Sequence, residues 1–321
     1  MASSEIRPFW ETGLHSYHRR AFAHDYHAPF IYHIILKKAS GCEAFGHVEG
    51  DARIAHGSPG CAEIRETDLG QIIAKSLLHL PYEYPSLKLL QFCVMPDHVH
   101  LLLQVLRRSD KHLDFYIESL KTTVAAKYSE KNGKTIAEEA IFEPGYCDRP
   151  LYGNRSLDGL YRYIRENPHR LAMRRQFPQF FQRVRKIRID NEDYEAYGNL
   201  FLLRNPDKQA VKISRKFAPE ELEQKKSRWL MAAAGGTVLV SPFISPAEKA
   251  IRAEAETLNG KIILILHEAI PERFKPSAHD FALCAQGHLL ILSLREPPKT
   301  ELTRALCLRM NALAETIATA P

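Results

Sequence analysis

Apolar residues follow two rhythms along the first half of the chain. Ile31–Lys37, Leu87–Val94 and His98–Val105 are short, nearly continuous apolar runs, which read as buried strands. Met95-Pro96-Asp97 joins the last two, and proline presets a turn dihedral there. Between the runs, apolar residues recur at helical spacing. Leu69, Ile72, Ile73, Leu77 and Leu78 predict a helix within Ala62–Leu80. Phe115, Leu120, Val124, Ala125 and Tyr128 predict another over Leu113–Lys131, stopped by Asn132-Gly133. Phe142–Tyr152 reads as irregular or extended, and Ser156 caps a helix running to about Asn167. Strand, helix, strand, strand, helix, strand is the order of a ferredoxin-like α+β unit. In it, His98–Val105 is central, helices cover one face, and the other face is free to present His98 and His100.

Beyond Asp190-Asn191-Glu192-Asp193 the pattern becomes alternating. Gln209–Ser214, Thr237–Ser241, Lys261–Leu266 and His288–Leu294 read as strands. Pro219–Ala234, Pro246–Leu258 and a last segment from about Lys299 read as helices. This predicts a small parallel, Rossmann-like α/β domain. The expected division is therefore 1–192 and 193–321. Ser245-Pro246-Ala247-Glu248 carries a capping box, and a helix start after a strand can also hold an anion.

Composition narrows the class. With 45% hydrophobic and 26% charged residues over 321 positions, the chain has the makeup of a soluble globular protein. No apolar run approaches the roughly 20 residues of a membrane span, and no secretory leader is visible. Six cysteines without a Cys-x-x-Cys pair point to reduced thiols and a cytoplasmic setting. Net charge is only +6, but Arg162, Arg165, Arg170, Arg174, Arg175, Arg183, Arg185 and Lys186 crowd one segment. Such a run either attracts phosphates or is a solvated surface.

Candidate chemistry sits in two places. His98 and His100 are two apart on a strand, so both imidazoles project from one face, as a metal site or as hydrogen-bonded core. Tyr163 and Asn167 are four apart on a helix and share one margin, with Tyr161 on the other. A phenol and an amide there can act as nucleophile and oxygen ligand. They can equally be a core-edge tyrosine and a cap for a helix that begins at Pro168.

Met95-Pro96-Asp97-His98-Val99-His100-Leu101 resembles the signature of HUH single-tyrosine transposases. Tyr163-Ile164-Arg165-Glu166-Asn167-Pro168-His169-Arg170 is similar to the tyrosine-helix motif of their REP-associated branch. Tyr32-His33-Ile34 and Gly145-Tyr146-Cys147-Asp148-Arg149 fit as well, so the resemblance covers about residues 25–180. It implies an HUH endonuclease domain in which His98, His100 and Asn167 bind Mg²⁺ or Mn²⁺. Tyr163 is then the nucleophile that becomes joined to a DNA 5′-phosphate. Asp97 stands where many relatives carry asparagine, a change expected to be tolerated in a turn.

Under this resemblance the arginine run becomes a surface for single-stranded or hairpin DNA, and Lys121, Lys127, Lys131 and Lys134 are candidates to extend it. Family relatives include monomers and homodimers. Val211-Lys212-Ile213-Ser214-Arg215-Lys216 and Thr237–Pro242 resemble the Rossmann-like domain of DNA-processing protein A, without the glycine expected near the first strand end. Nucleotide or single-strand binding there stands beside a structural or docking role. The expected activity is DNA nicking and rejoining. The competing expectations are a domesticated hairpin-binding protein that does not cut and a metal-dependent hydrolase of another phosphodiester.

Overall fold

A computed structural model describes residues 24–54, 57–152, 157–213 and 217–320. Ser156 and the stretch 214–216, read above as a cap and a strand end, lie outside the described residues. The chain divides into two compact units, Met1–Ala172 and Met173–Pro321.

In the first unit the elements are β1 (Phe30–Lys37), β2 (Gly46–Glu49), β3 (Glu63–Glu66), α1 (Asp68–Glu83), β4 (Leu87–Val94), β5 (His98–Val105), α2 (Leu113–Asn132), β6 (Cys147–Pro150) and α3 (Leu157–Gln176), whose last turn from Met173 belongs to the second unit. Four strands form one sheet in the order β4-β5-β1-β6, and every neighbouring pair is antiparallel. That is the expected ferredoxin-like arrangement, with β5 inside the sheet.

Strand alternation divides the two faces. Val99, Leu101, Leu103 and Val105 of β5 join Tyr32, Ile34 and Leu36 of β1 in one core. Leu69, Ile73 and Leu77 of α1 and Ile117, Leu120 and Val124 of α2 complete it. His33, His98 and His100 fall on the opposite parity. The β4–β5 connection is pinned rather than loose: the Pro96 and Asp97 carbonyls accept from Phe45 N at 3.0 Å and Lys38 N at 2.9 Å.

Ala62–Leu80 is not one helix. Its first residues form β3, paired with β2 from Gly46↔Glu66 to Glu49↔Glu63. Thr67 then caps α1 by accepting from Gly70 N at 3.2 Å. Gly70 is required there, because a Cβ would collide with the Phe45 carbonyl. At the end of α2, Gly133 takes the left-handed φ of 64°, as its sequence predicts.

The second unit contains β7 (Gln182–Ile189), β8 (Glu192–Gly198), β9 (Lys208–Ala210), α4 (Pro219–Ala234), β10 (Val238–Ser241), α5 (Pro246–Thr257), β11 (Lys261–Glu268), α6 (Ala278–Ala285), β12 (Leu289–Glu296) and α7 (Arg304–Thr319). Its sheet runs β7-β8-β12-β11-β10-β9, parallel across β9 to β12 and antiparallel through β8 and β7. Val238, Val240, Ile263, Ile265, Leu290 and Leu292 pack with Met310, Leu313 and Ile317 of α7. The alternate residues Leu239, Ile262, Leu264 and Ile291 pack with Ala233 of α4, Ile251 and Ala255 of α5 and Leu283 of α6. Burial on both faces is why these strands read as unbroken apolar runs.

Asp190–Asp193, expected to mark the domain boundary at 192/193, lies inside this unit instead. Asp190 and Asn191 both have positive φ, 46° and 65°, and form the two-residue turn between β7 and β8. The anion site considered at the start of α5 is filled by the chain itself. The Glu248 carboxylate accepts from Ile244 N and Ser245 N, each at 2.9 Å, and from Ile213 N at 3.3 Å. A phosphate would have to displace it.

Candidate active site

The sheet face of the first unit opposite α1 and α2, expected to be free, is instead buried at His33, His100 and Leu102, and it carries three imidazoles in contact. His98 and His100 stand on one side of β5, their Nε2 atoms 3.0 Å apart. His33 of β1 lies diagonal to His100, because His33 is opposite Leu102 in the register. Its Nε2 is 3.0 Å from His100 Nδ1, and the two rings stack at 5.1 Å. His98 Nδ1 is 2.6 Å from the Asp97 carboxylate, so that nitrogen carries the proton and donates. His100 is only 2% exposed and His33 8%.

The described part of α3 brings the second set of residues. The Tyr163 ring meets His100 edge-on at 5.7 Å and His33 at 6.2 Å. Among the described ring contacts, none joins Tyr161 to these histidines. The Arg170 guanidinium lies over the Tyr163 ring at 5.7 Å. Tyr163, Asn167 and Arg170 therefore share a helix face, at spacings of four and three. Asn167 does not end the helix before Pro168, because α3 continues through the proline to Gln176. The proline has no N–H to give the Ile164 carbonyl, so one helical bond is missing beside this face.

A divalent ion is implied by the resemblance, and the donor set fits one. Two cis ligands of an octahedral ion at about 2.1 Å stand about 3 Å apart, the spacing of the two Nε2 atoms. Among the described residues no three His, Cys, Asp or Glu side chains form a metal cluster. Asn167, one turn of α3 beyond Tyr163, carries a buried Nδ2 with no hydrogen-bond partner among the described residues. Amide ends interchange by a half-turn, so the oxygen can take that place. Cys93 pairs with His100 in register, but burial pushes its thiol up to about 12 and keeps it protonated.

The basic run does not act as one group. Arg162, Arg165, Arg174 and Arg175 are exposed, and Arg174 also lies over the Phe281 ring at 5.3 Å. Arg170 is buried against Tyr163. Arg183 spends its donors on the protein: the Glu195 carboxylate at 2.6 Å and the carbonyls of Ile270, Pro271 and Glu272. Arg185 pairs with Glu272 at 3.0 Å, and Lys186 pairs with Asp193 at 2.8 Å. Lys121 is 3% exposed and held by Glu118 and the Gly145 carbonyl, which removes it from any binding surface.

His33 and Asp97 are the members of the site that the residues alone did not single out. Asp97 was expected only to be tolerated in a turn, yet it orients His98. His33 gave a signal, a lone polar residue of opposite parity in an apolar strand, but its partner is 67 residues away.

Residues 68–167 match the model of the family described as "Transposase IS200 like". The match runs from α1 to Asn167 and contains His98, His100 and Tyr163. No curated protein matches the chain. Among solved structures, a REP-associated tyrosine transposase bound to a REP hairpin is similar at 12% identity and a TM-score of 0.31, over 46% of this chain and 72% of that one. A candidate transposase from Deinococcus radiodurans is similar at 18% identity and a TM-score of 0.28, over 47% and 97%.

Proposed function

We propose that the first unit is a metal-dependent nicking and strand-transfer enzyme of HUH type acting on single-stranded DNA at hairpins, with Tyr163 as nucleophile. The observation that carries this reading is the Tyr163 ring set against His100 and His33 on the sheet face opposite α1 and α2. His98, His100 and Asn167 would hold Mg²⁺ or Mn²⁺. That ion supplies positive charge for the scissile phosphate and its developing negative charge.

The chain's own part is positioning and covalent catalysis. The Tyr163 oxygen attacks phosphorus, the P–O3′ bond breaks, and the 5′-phosphate stays on the tyrosine. The phenolic proton passes to solvent, and the departing 3′ oxygen takes one up. Attack by a 3′-hydroxyl reverses the step, at little net cost because one phosphodiester replaces another. Arg170 holds the ring by its face. Exposed Arg162 and Arg165 on the same helix are suited to flanking phosphates. The second unit we read as a Rossmann-like α/β domain, and the occupied α5 N-terminus argues against a phosphate there.

The test is a hairpin oligonucleotide incubated with the full chain and Mn²⁺, followed by denaturing electrophoresis. A covalent adduct is expected with the wild type and with Tyr161→Phe, and its loss with Tyr163→Phe, by a factor of about 10³ or more. Persistence of the adduct in Tyr163→Phe refutes the nucleophile. Tight hairpin binding without cleavage under any divalent ion would instead favour the non-cutting protein.

A further inference from the structure

The three imidazoles and Asp97 form one row of close contacts. The Asp97 carboxylate lies 2.6 Å from His98 Nδ1, the His98 and His100 Nε2 atoms are 3.0 Å apart, and His100 Nδ1 is 3.0 Å from His33 Nε2. A ligating nitrogen must be unprotonated, so a His100 that binds a cation through Nε2 turns its other nitrogen, Nδ1, to His33.

We infer that His33 is a positioning residue that permits His100 to become a metal ligand, an inference that rests on the metal centre proposed above. For His100 Nε2 to be bare while the ring stays neutral, its proton must sit on Nδ1, pointing at His33. His33 can accept it, because an imidazole carries its own proton on either nitrogen. The burial of both rings makes the acceptor matter, since water competes poorly for an enclosed N–H. Outer partners of metal-bound histidines commonly set ligand affinity in this way.

The experiment is a Mn²⁺ titration of the full chain without DNA, read by electron paramagnetic resonance, together with thermal melting. Loss of the outer partner in His33→Leu is expected to weaken Mn²⁺ binding about ten- to a hundred-fold. His33→Gln is expected to stay within a few-fold of wild type, because its amide can either donate or accept at that position. A purely structural role would lower the melting temperature of the variants without separating Leu from Gln in affinity. In the wild type, ¹⁵N spectra of the histidine rings should show the His100 proton on Nδ1 with Mg²⁺, a readout that no variant's folding can obscure. Unchanged binding in His33→Leu alongside loss in His100→Ala, or a His100 ring without a proton on Nδ1 in the presence of Mg²⁺, overturns the role of His33 alone. If the wild type binds no Mn²⁺, or His98→Ala and His100→Ala bind as it does, the metal centre and the role of His33 both fail.

Discussion

Single side chains in this molecule are decided by what surrounds the polar atom more than by residue type. His288 precedes β12, and its backbone is fully engaged: its N–H donates to the Leu283 carbonyl and its own carbonyl accepts from Ile262 N. Its Nδ1, however, is buried with no hydrogen-bond partner among the described residues. Burial, and then the nearby Lys261 charge, hold its pKa below the ordinary histidine value. The unfolded chain protonates this ring near pH 6.5, while the folded one resists. Its contribution to stability is therefore complete above about pH 6.5 and is lost as pH falls from there toward the depressed folded pKa. His24 in the first unit shifts in the same direction, again through burial. Thermal melts between pH 7.5 and 5 should show the melting temperature falling with acidification, with a shallower slope in His288→Gln. Equal slopes in the two proteins would remove His288 as a cause.

At the level of elements, legibility followed how local the pattern was. The bounds of β4 and β5 were readable because alternation and the proline turn lie within a few residues of one another. The two faces of β5 were readable for the same reason. Leu101 is fully buried on the helix-covered face, one residue from His100 on the other. Leu101→Ala should cost about 2–5 kcal/mol of stability in denaturant unfolding, the range for emptying a packed leucine site. The histidine face should keep its geometry where the variant remains folded. A loss below about 1 kcal/mol would mean that this parity is misassigned. Elements set by distant partners were harder to read. β7 hid inside the arginine run, since its alternation of Val184, Ile187 and Ile189 is broken by a register shift between Val184 and Ile187. Pro168 suggested a helix boundary, yet α3 passes through it, because packing can outweigh one missing bond. The contact of His33 with His100 depends on the pairing of two strands distant in sequence, which no local pattern announces.

For the molecule as a whole, the point of division matters most. Polar residues at 190–193 suggested a linker, but a two-residue turn with positive φ at both positions is a hairpin signal as well. What separates the two readings is whether apolar alternation flanks the turn, and the bulge in β7 obscured it. The consequence is physical. A fragment beginning at residue 193 removes β7 and with it Arg183, whose guanidinium satisfies Glu195 of β8. Glu195 is only 6% exposed, and its other oxygen accepts from Ile270 N at 3.2 Å. Stripping the partner from a buried carboxylate costs about 3–5 kcal/mol, a large share of the roughly 5–15 kcal/mol that holds an ordinary domain folded. Val184, Ile187 and Ile189 would also leave the α7-side core. The fragment 173–321, which keeps β7, is accordingly expected to melt cooperatively with dispersed amide resonances. The fragment 193–321 is expected to be unfolded or aggregated under the same conditions. If the shorter fragment melts as cooperatively and at the same temperature, β7 is an ornament of the sheet rather than part of its folding unit.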